Sequence, residues 1–230
     1  MAGSSPEERA LRERFAVRAE PFTHGPISLE MLLPESAEAL IDEAEFDADE
    51  RLPYWADLWP SARALTRHLL DHPPSSSGRA VELGCGVALP SLALRSLGRE
   101  VLATDYYADA LRFARANAER NHLAPLETRL LDWRDPPAEL GRFDLVLAAD
   151  VLYEQRNAEA LSAALPALVA PGAVVLLADP GRVWLPEFRT RMAAAGWAVE
   201  ELATRAEPSP GPTGRQRSQV QILELRPPSA

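Results

Sequence analysis

The stretch "AVELGCGVALPSLALRSLGREVLATDYY", Ala80 to Tyr107, decides how the rest of the chain is read. It reads as a strand over 80–83, a glycine turn at Gly84-Cys85-Gly86, a helix over 89–97 and a second strand over 100–104. The acid Asp105 closes that second strand. The same alternation continues to the end. Strands are expected near 127–131, 143–149, 173–178, 197–203 and 218–225, with helices near 107–121, 156–169 and 185–194. Alternating strands and helices imply an α/β fold, a doubly wound, mostly parallel seven-stranded sheet with helices on both faces.

Upstream of Ala80 the pattern differs. Ser5-Pro6-Glu7-Glu8 is a helix start, with a capping serine, a proline in the first turn and acids at the positive end of the dipole. "ISLEML" (27–32) alternates like a half-buried strand, and "SAEALIDEAEF" (36–46) reads as a short amphipathic helix. "YWADLWPSARALTRHLL" (54–70) is aromatic-rich and then helical, with Leu65, Leu69 and Leu70 on one face. "PPSSSGR" (73–79) is a linker, which divides an N-terminal extension or cap, 1–72, from a core, 73–230. "AEPSPGPTGRQRS" (206–218) is expected to be a mobile loop.

The apolar run "LSAALPALVAPGAVVLLA" (161–178) is about as long as a membrane span. Pro166, Pro171 and Gly172 break it, so helix, turn and buried strand are expected instead. The 230 residues carry a net charge of −10, which argues against a general nucleic-acid binder. A single cysteine, Cys85, excludes an internal disulfide and a cysteine-based zinc site. The histidines His24, His68, His72 and His122 show no metal spacing and are expected on solvated surfaces. The charged N-terminus lacks an apolar secretory segment, so a cytoplasmic location with no membrane contact is expected; the chain is also expected to be a monomer.

Two cofactor classes use a strand–glycine turn–helix unit. The dinucleotide fingerprint G-x-G-x-x-G needs a third glycine for close helix packing, and here Leu89 stands in its place. The chain instead has Glu82 two residues before Gly84, then Gly86 and Ala88. A carboxylate there opposes a pyrophosphate and suits a cationic amino-acid head. S-adenosylmethionine (SAM) has no phosphate and carries an ammonium and a sulfonium. Asp105 then accepts from the ribose hydroxyls. Asp132 and Trp133, after the third strand, suit the adenine amine and ring. Three acids at three successive strand ends sit where open α/β sheets bind ligands.

With those residues in place, Leu52 to Leu225 resembles the class I, seven-β-strand SAM-dependent methyltransferases, whose core is Rossmann-like. "VELGCGVALPSLALRSLG" resembles their first motif, with Ala88 replacing its usual third glycine. "YWADLWPSARAL" and "FDLVLAADVLYEQ" are similar to segments of the family-16 protein-lysine methyltransferases, especially those acting on the electron transfer flavoprotein β subunit. The resemblance implies that Trp59 lines the cofactor site and that Asp150 and Tyr153, a D-x-x-Y pair, are catalytic and face the substrate amine. The implied cofactor contacts are Trp59, Glu82, Gly84, Cys85, Gly86, Asp105, Tyr106, Asp132, Trp133 and Ala149, with no metal.

Structural roles compete with several of these. Trp55 fits a core aromatic as well as a cofactor wall. Asp150 and Tyr153 fit the start of a helix. Cys85 fits a small buried residue better than a catalytic thiol, and Leu111, Phe113 and Ala114 are expected in the core. The leading expectation is methylation of a lysine on a protein; a small-molecule amine or heterocycle is the alternative acceptor. A SAM-binding scaffold and an NAD-dependent oxidoreductase are weaker readings. Lysine has a reference pKa near 10.4, so stripping its proton at pH 7 costs about 4.6 kcal/mol. A carboxylate such as Asp150 favours the ammonium, so an aromatic, desolvating slot is expected to lower the amine pKa.

Overall fold

A computed structural model describes residues 5–37, 40, 53–75, 77–209 and 216–228 of the protein. Most of the helix expected over 36–46 lies outside these residues.

Helix α1 (Pro6–Arg14) begins where the sequence places it, with the Ser5 side chain accepting from the Glu8 amide at 3.1 Å. Such a cap contributes about 1 kcal/mol. Strands β1 (Val17–His24) and β2 (Ile27–Pro34) form an antiparallel hairpin. β2 was expected; β1 was not. Only Phe22 of β1 is buried, so "VRAEPFTH" carries almost no apolar alternation, and pairing with β2 makes it a strand. Helix α2 (Pro60–Asp71) follows, burying Leu65 and Leu69.

The central sheet contains β3 (Ala80–Leu83), β4 (Leu102–Asp105), β5 (Glu127–Leu130), β6 (Phe143–Ala149), β7 (Val169–Asp179), β8 (Ala198–Pro208) and β9 (Arg217–Arg226). Its spatial order is β5-β4-β3-β6-β7-β9-β8. All pairs are parallel except those made by β9, which runs antiparallel to β7 and β8. Helices α3 (Leu89–Ser96), α4 (Ala108–Arg120), α5 (Gln155–Leu168) and α6 (Leu185–Ala194) connect the strands.

Neighbouring β6 residues face opposite cores. Leu145 and Leu147 join α2, α3 and α4, whereas Val146 and Ala148 join α5 and α6. The fold is therefore doubly wound. The strand order reverses between β3 and β6, and ligands of such sheets bind beyond the strand ends at that point.

The hairpin and α1 belong to the first of these cores: Leu11, Phe22, Leu32 and Leu33 are buried in the same cluster as Leu89 and Phe113. Asn117 of α4 fastens the extension to the glycine turn. Its side chain accepts from the Leu32 amide at 2.6 Å and donates to the carbonyls of Leu32 and Val87, at 3.1 and 3.3 Å. Asn117→Ala should destabilise the protein by about 2–4 kcal/mol, because three buried backbone groups lose their partner. Thermal unfolding checks this; an unchanged Tm would mean the hairpin is held by packing alone.

Three expectations are corrected. First, there is no turn between α5 and β7. The helix runs through Pro166 to Leu168 and the strand starts at Val169. The proline removes only a hydrogen bond near the helix end. Pro171 lacks an amide donor and Gly172 has φ +75°, so the chain bulges there, and the register with β6 jumps between Phe143↔Val169 and Leu145↔Val174. Second, β8 and β9 extend into the expected loop, leaving 210–215 outside the described residues. Third, His68 is buried against His72, with ring centroids 4.9 Å apart, and burial holds its imidazole below the usual range. Among the described residues, no helix is long and apolar enough to cross a membrane.

Candidate active site

A cleft with about 850 Å³ of empty space opens at the carboxyl ends of β3, β4 and β6. All of the site residues expected from sequence line it: Trp59, Glu82, Gly84, Cys85, Gly86, Asp105, Tyr106, Asp132, Trp133, Ala149, Asp150 and Tyr153.

The glycine turn forms its floor. Gly84 and Gly86 have φ of +65° and +51°, so the chain doubles back where side chains resist. A Cβ on Gly86 would lie 3.1 Å from the Trp55 carbonyl oxygen. Ala88 takes the same left-handed conformation, φ +67°, just before α3; alanine makes the turn at a cost that glycine avoids. Gly86→Ala should lower stability by about 1–2 kcal/mol and weaken cofactor binding. Calorimetry with SAM checks both. A wild-type Tm and affinity would show that the turn tolerates a side chain.

Glu82 is buried, and its carboxyl accepts from the amide and the hydroxyl of Ser91 in the first turn of α3. Burial, reinforced by nearby Asp105, pushes its pKa up to about 8 despite those bonds. Asp105 accepts from the amides of Gly86 at 2.8 Å and Tyr107 at 2.9 Å. Its carboxylate thus sits at the end of β4 facing the cleft, beside the glycine turn. Asp132 forms a tight pair with Arg134 at 2.6 Å, and that guanidinium lies 5.8 Å from the Tyr106 ring, which closes the rim. Burial and the neighbouring Asp105 and Glu82 push the Cys85 thiol up, so it is a protonated wall residue and no nucleophile.

Among the described residues, the cleft lining holds five acids (Asp57, Glu82, Asp105, Asp132, Asp150) and no arginine or histidine. That donor set repels a pyrophosphate and fits a ligand with an ammonium, a sulfonium and a ribose. The residues present therefore fit SAM.

Beside the cleft, a second space of about 470 Å³ is lined by Tyr54, Trp59, Asp150, Tyr153, Glu154 and Arg182. Tyr54 stands edge-on to Tyr153 and Trp59, at centroid distances of 5.1 and 6.0 Å. The Trp59 indole donates to the Tyr54 carbonyl at 2.6 Å, fixing the slot's shape. Trp55, whose role the sequence left open, packs on Phe113 at 5.5 Å as a core aromatic and borders the turn with its backbone.

Asp150 does not cap α5; Glu154 holds that position. It takes an unusual backbone conformation, φ +59°, with its amide bonded to the Ala178 carbonyl at 2.9 Å. This strain aims the carboxylate at the slot. Ser61 donates to one of its oxygens at 3.1 Å and Arg182 to the other at 2.7 Å. Behind it lies Asp179, fully buried, whose pKa burial and Asp150 push up to about 6. Sequence reasoning missed Tyr54, Ser61, Asp179 and Arg182. Tyr54 and Ser61 had a local signal, both lying in the "YWADLWPSARAL" segment; Asp179 and Arg182 reach the site by folding.

The lysine methyltransferase family matches residues 48–183. The electron transfer flavoprotein beta subunit lysine methyltransferase of Danio rerio is 36% identical over 142 residues, covering 60% of this chain and 54% of that protein. Its Homo sapiens counterpart is 33% identical, covering 59% and 51% respectively. The chain thus spans about half the length of these curated relatives. Among solved structures, one from work on conversion of a disulfide bond into a thioacetal group during echinomycin biosynthesis superposes with a TM-score of 0.63. It is 19% identical and covers 84% of this chain and 91% of its own, a likeness of fold.

Proposed function

Because the chain belongs to the lysine methyltransferase family, we propose that it transfers a methyl group from SAM to the side-chain amine of a lysine in a protein. The observation that carries this reading is the junction of two spaces: an acid-lined cofactor cleft and an aromatic slot meet at Trp59, Asp150 and Tyr153. SAM supplies an electrophilic methyl on a cationic sulfur, which leaves with its bonding electrons. The chain's task is to aim a neutral amine at that methyl. Tyr54, Trp59 and Tyr153 exclude water from the amine, and Asp150 accepts a hydrogen bond from it. In the cleft, Glu82 faces the cofactor's amino-acid end, Asp105 its ribose, and Asp132 with Trp133 its adenine.

The first acceptor to test is the β subunit of electron transfer flavoprotein, the substrate printed in the relatives' names. The reading also takes the protein as a cytoplasmic monomer without a nucleic-acid partner, the last supported by its net charge of −10.

The test is incubation with methyl-labelled SAM and lysate of the source organism, followed by separation of proteins from small molecules. The chain contains no lysine and so adds no lysine label of its own. A discrete labelled protein, mapped to lysine, is the expected result. Label confined to small molecules would make the acceptor a small-molecule amine.

A further inference from the structure

An acceptor slot built around a bare carboxylate has an electrostatic defect: it holds lysine as the ammonium, the form with no lone pair to react. The structure places a cation where it corrects this. Arg182, in the turn between β7 and α6, donates from Nε to Asp150 at 2.7 Å. Its guanidinium carbon lies 5.4 Å from the Trp59 ring. It lines the same space as Tyr54, Tyr153 and Glu154.

The pair is asymmetric. The Asp150 side chain is 3% exposed and that of Arg182 34%, so the carboxylate is fixed inside while the guanidinium reaches it from the rim. The turn that delivers the arginine is itself anchored. Asp179 accepts from the amides of Gly181 at 2.8 Å and Arg182 at 2.7 Å, and Gly181 has φ +85°, a conformation that bends the chain back towards the slot. Among the described residues, the terminal nitrogens of Arg182 have no hydrogen-bond partner, so the whole contact is spent on Asp150 and Trp59.

We infer that Arg182 is a positioning residue that neutralises Asp150, so that this carboxylate orients a neutral lysine amine instead of trapping an ammonium. The inference rests on the lysine methylation proposed above. The charged and titratable groups facing the slot are Asp150 after β6, Tyr153 and Glu154 before α5, Tyr54 ahead of α2, and Arg182 after β7. Asp179 lies behind Asp150, and Glu154 is itself paired with Arg156. Ser61 adds a neutral donor to Asp150. Arg182 is therefore the cation paired directly with the carboxylate that meets the amine. Without it, Asp150 acts as an uncompensated charge within hydrogen-bond reach of the amine, which raises an amine pKa by about one to three pH units.

The experiment is a pH profile of kcat and KM for wild type, Arg182→Ala and Arg182→Lys, with the β subunit of electron transfer flavoprotein as acceptor and SAM affinity measured in parallel. For Arg182→Ala the acid limb of the kcat profile should move up by about one pH unit or more. Activity should then fall about tenfold at pH 7 and recover near pH 9, with KM for the acceptor unchanged or lower and SAM affinity retained. Arg182→Lys keeps the charge and should restore most of the wild-type profile. A profile superimposable on wild type would overturn the inference, as would a loss uniform across pH that lysine fails to repair. A wild type that labels no lysine at any pH, on this subunit or on the proteins of the lysate, would instead defeat the parent reading. Circular dichroism of the variants separates either result from misfolding.

Discussion

Asp150→Asn is expected to lower methyl transfer at least about 100-fold while SAM binding stays within a few-fold of wild type. Asparagine is the right replacement because it tolerates the left-handed backbone at φ +59°, where alanine adds strain that would blur the result. It also keeps a carbonyl oxygen for Ser61. What it removes is the second carboxylate oxygen: an amide nitrogen there faces the Arg182 donor, so the pair breaks and the acceptor that orients the amine is lost. The loss should fall on kcat/KM for the acceptor. Stopped-assay kinetics together with SAM titration distinguish the cases. A parallel fall in SAM affinity would make Asp150 a cofactor residue, and near-wild-type turnover would remove it from the reaction.

The second large effect concerns Glu82, where stability and ligand binding pull in opposite directions. The folded protein holds the Glu82 proton up to about pH 8, whereas in the unfolded chain the carboxyl ionises near 4.5. Between these values the unfolded state binds fewer protons, so rising pH disfavours folding, and the penalty is complete above about pH 8. Below 4.5 it vanishes. Glu82→Gln mimics the protonated acid and keeps an acceptor for the two Ser91 donors. Its unfolding free energy should match wild type at pH 4.5 and exceed it increasingly towards pH 8, by a margin on the order of a few kcal/mol, with Tm rising in step.

Binding runs the other way. A cationic ligand favours ionised Glu82, so binding releases a proton, and wild-type SAM affinity should rise by up to about tenfold per pH unit between pH 6 and 7. Glu82→Gln should bind more weakly at pH 7 and lose that slope. Isothermal titration in buffers of different ionisation enthalpy measures the released proton directly. A slope that survives in Glu82→Gln would assign it to another group. A variant no more stable than wild type at pH 8 would mean that the buried carboxyl carries no penalty.

The cofactor side was largely readable along the chain because its parts are local. The run from Glu82 to Asp105 is one strand–turn–helix–strand unit, and the turn dictates where its acids point. Asp132 and Trp133 follow β5 just as Asp105 ends β4, so parallel strands bring them to one edge without further information. The acceptor side was readable only in part. Asp150 and Tyr153 sat in a recognisable segment, but their surroundings arrive from afar: Ser61 lies 89 residues away and Arg182 32.

The misread elements have the same origin. β1 becomes a strand only by pairing with β2, and the bulge over 170–173 exists because β6 fixes the register on both sides of it. His68 looked polar and surface-bound, yet its helix face is covered by the rest of the fold.

Periodicity and turn chemistry act between near neighbours, and they were enough to determine an α/β sheet with an acid-rimmed, phosphate-averse cofactor turn. The charge balance of the proposed acceptor slot depends on Arg182, Asp150 and Asp179 meeting at the ends of β6 and β7. Only the tertiary structure decided that, because Coulomb interactions act through space and burial, and neither is written in the order of the residues.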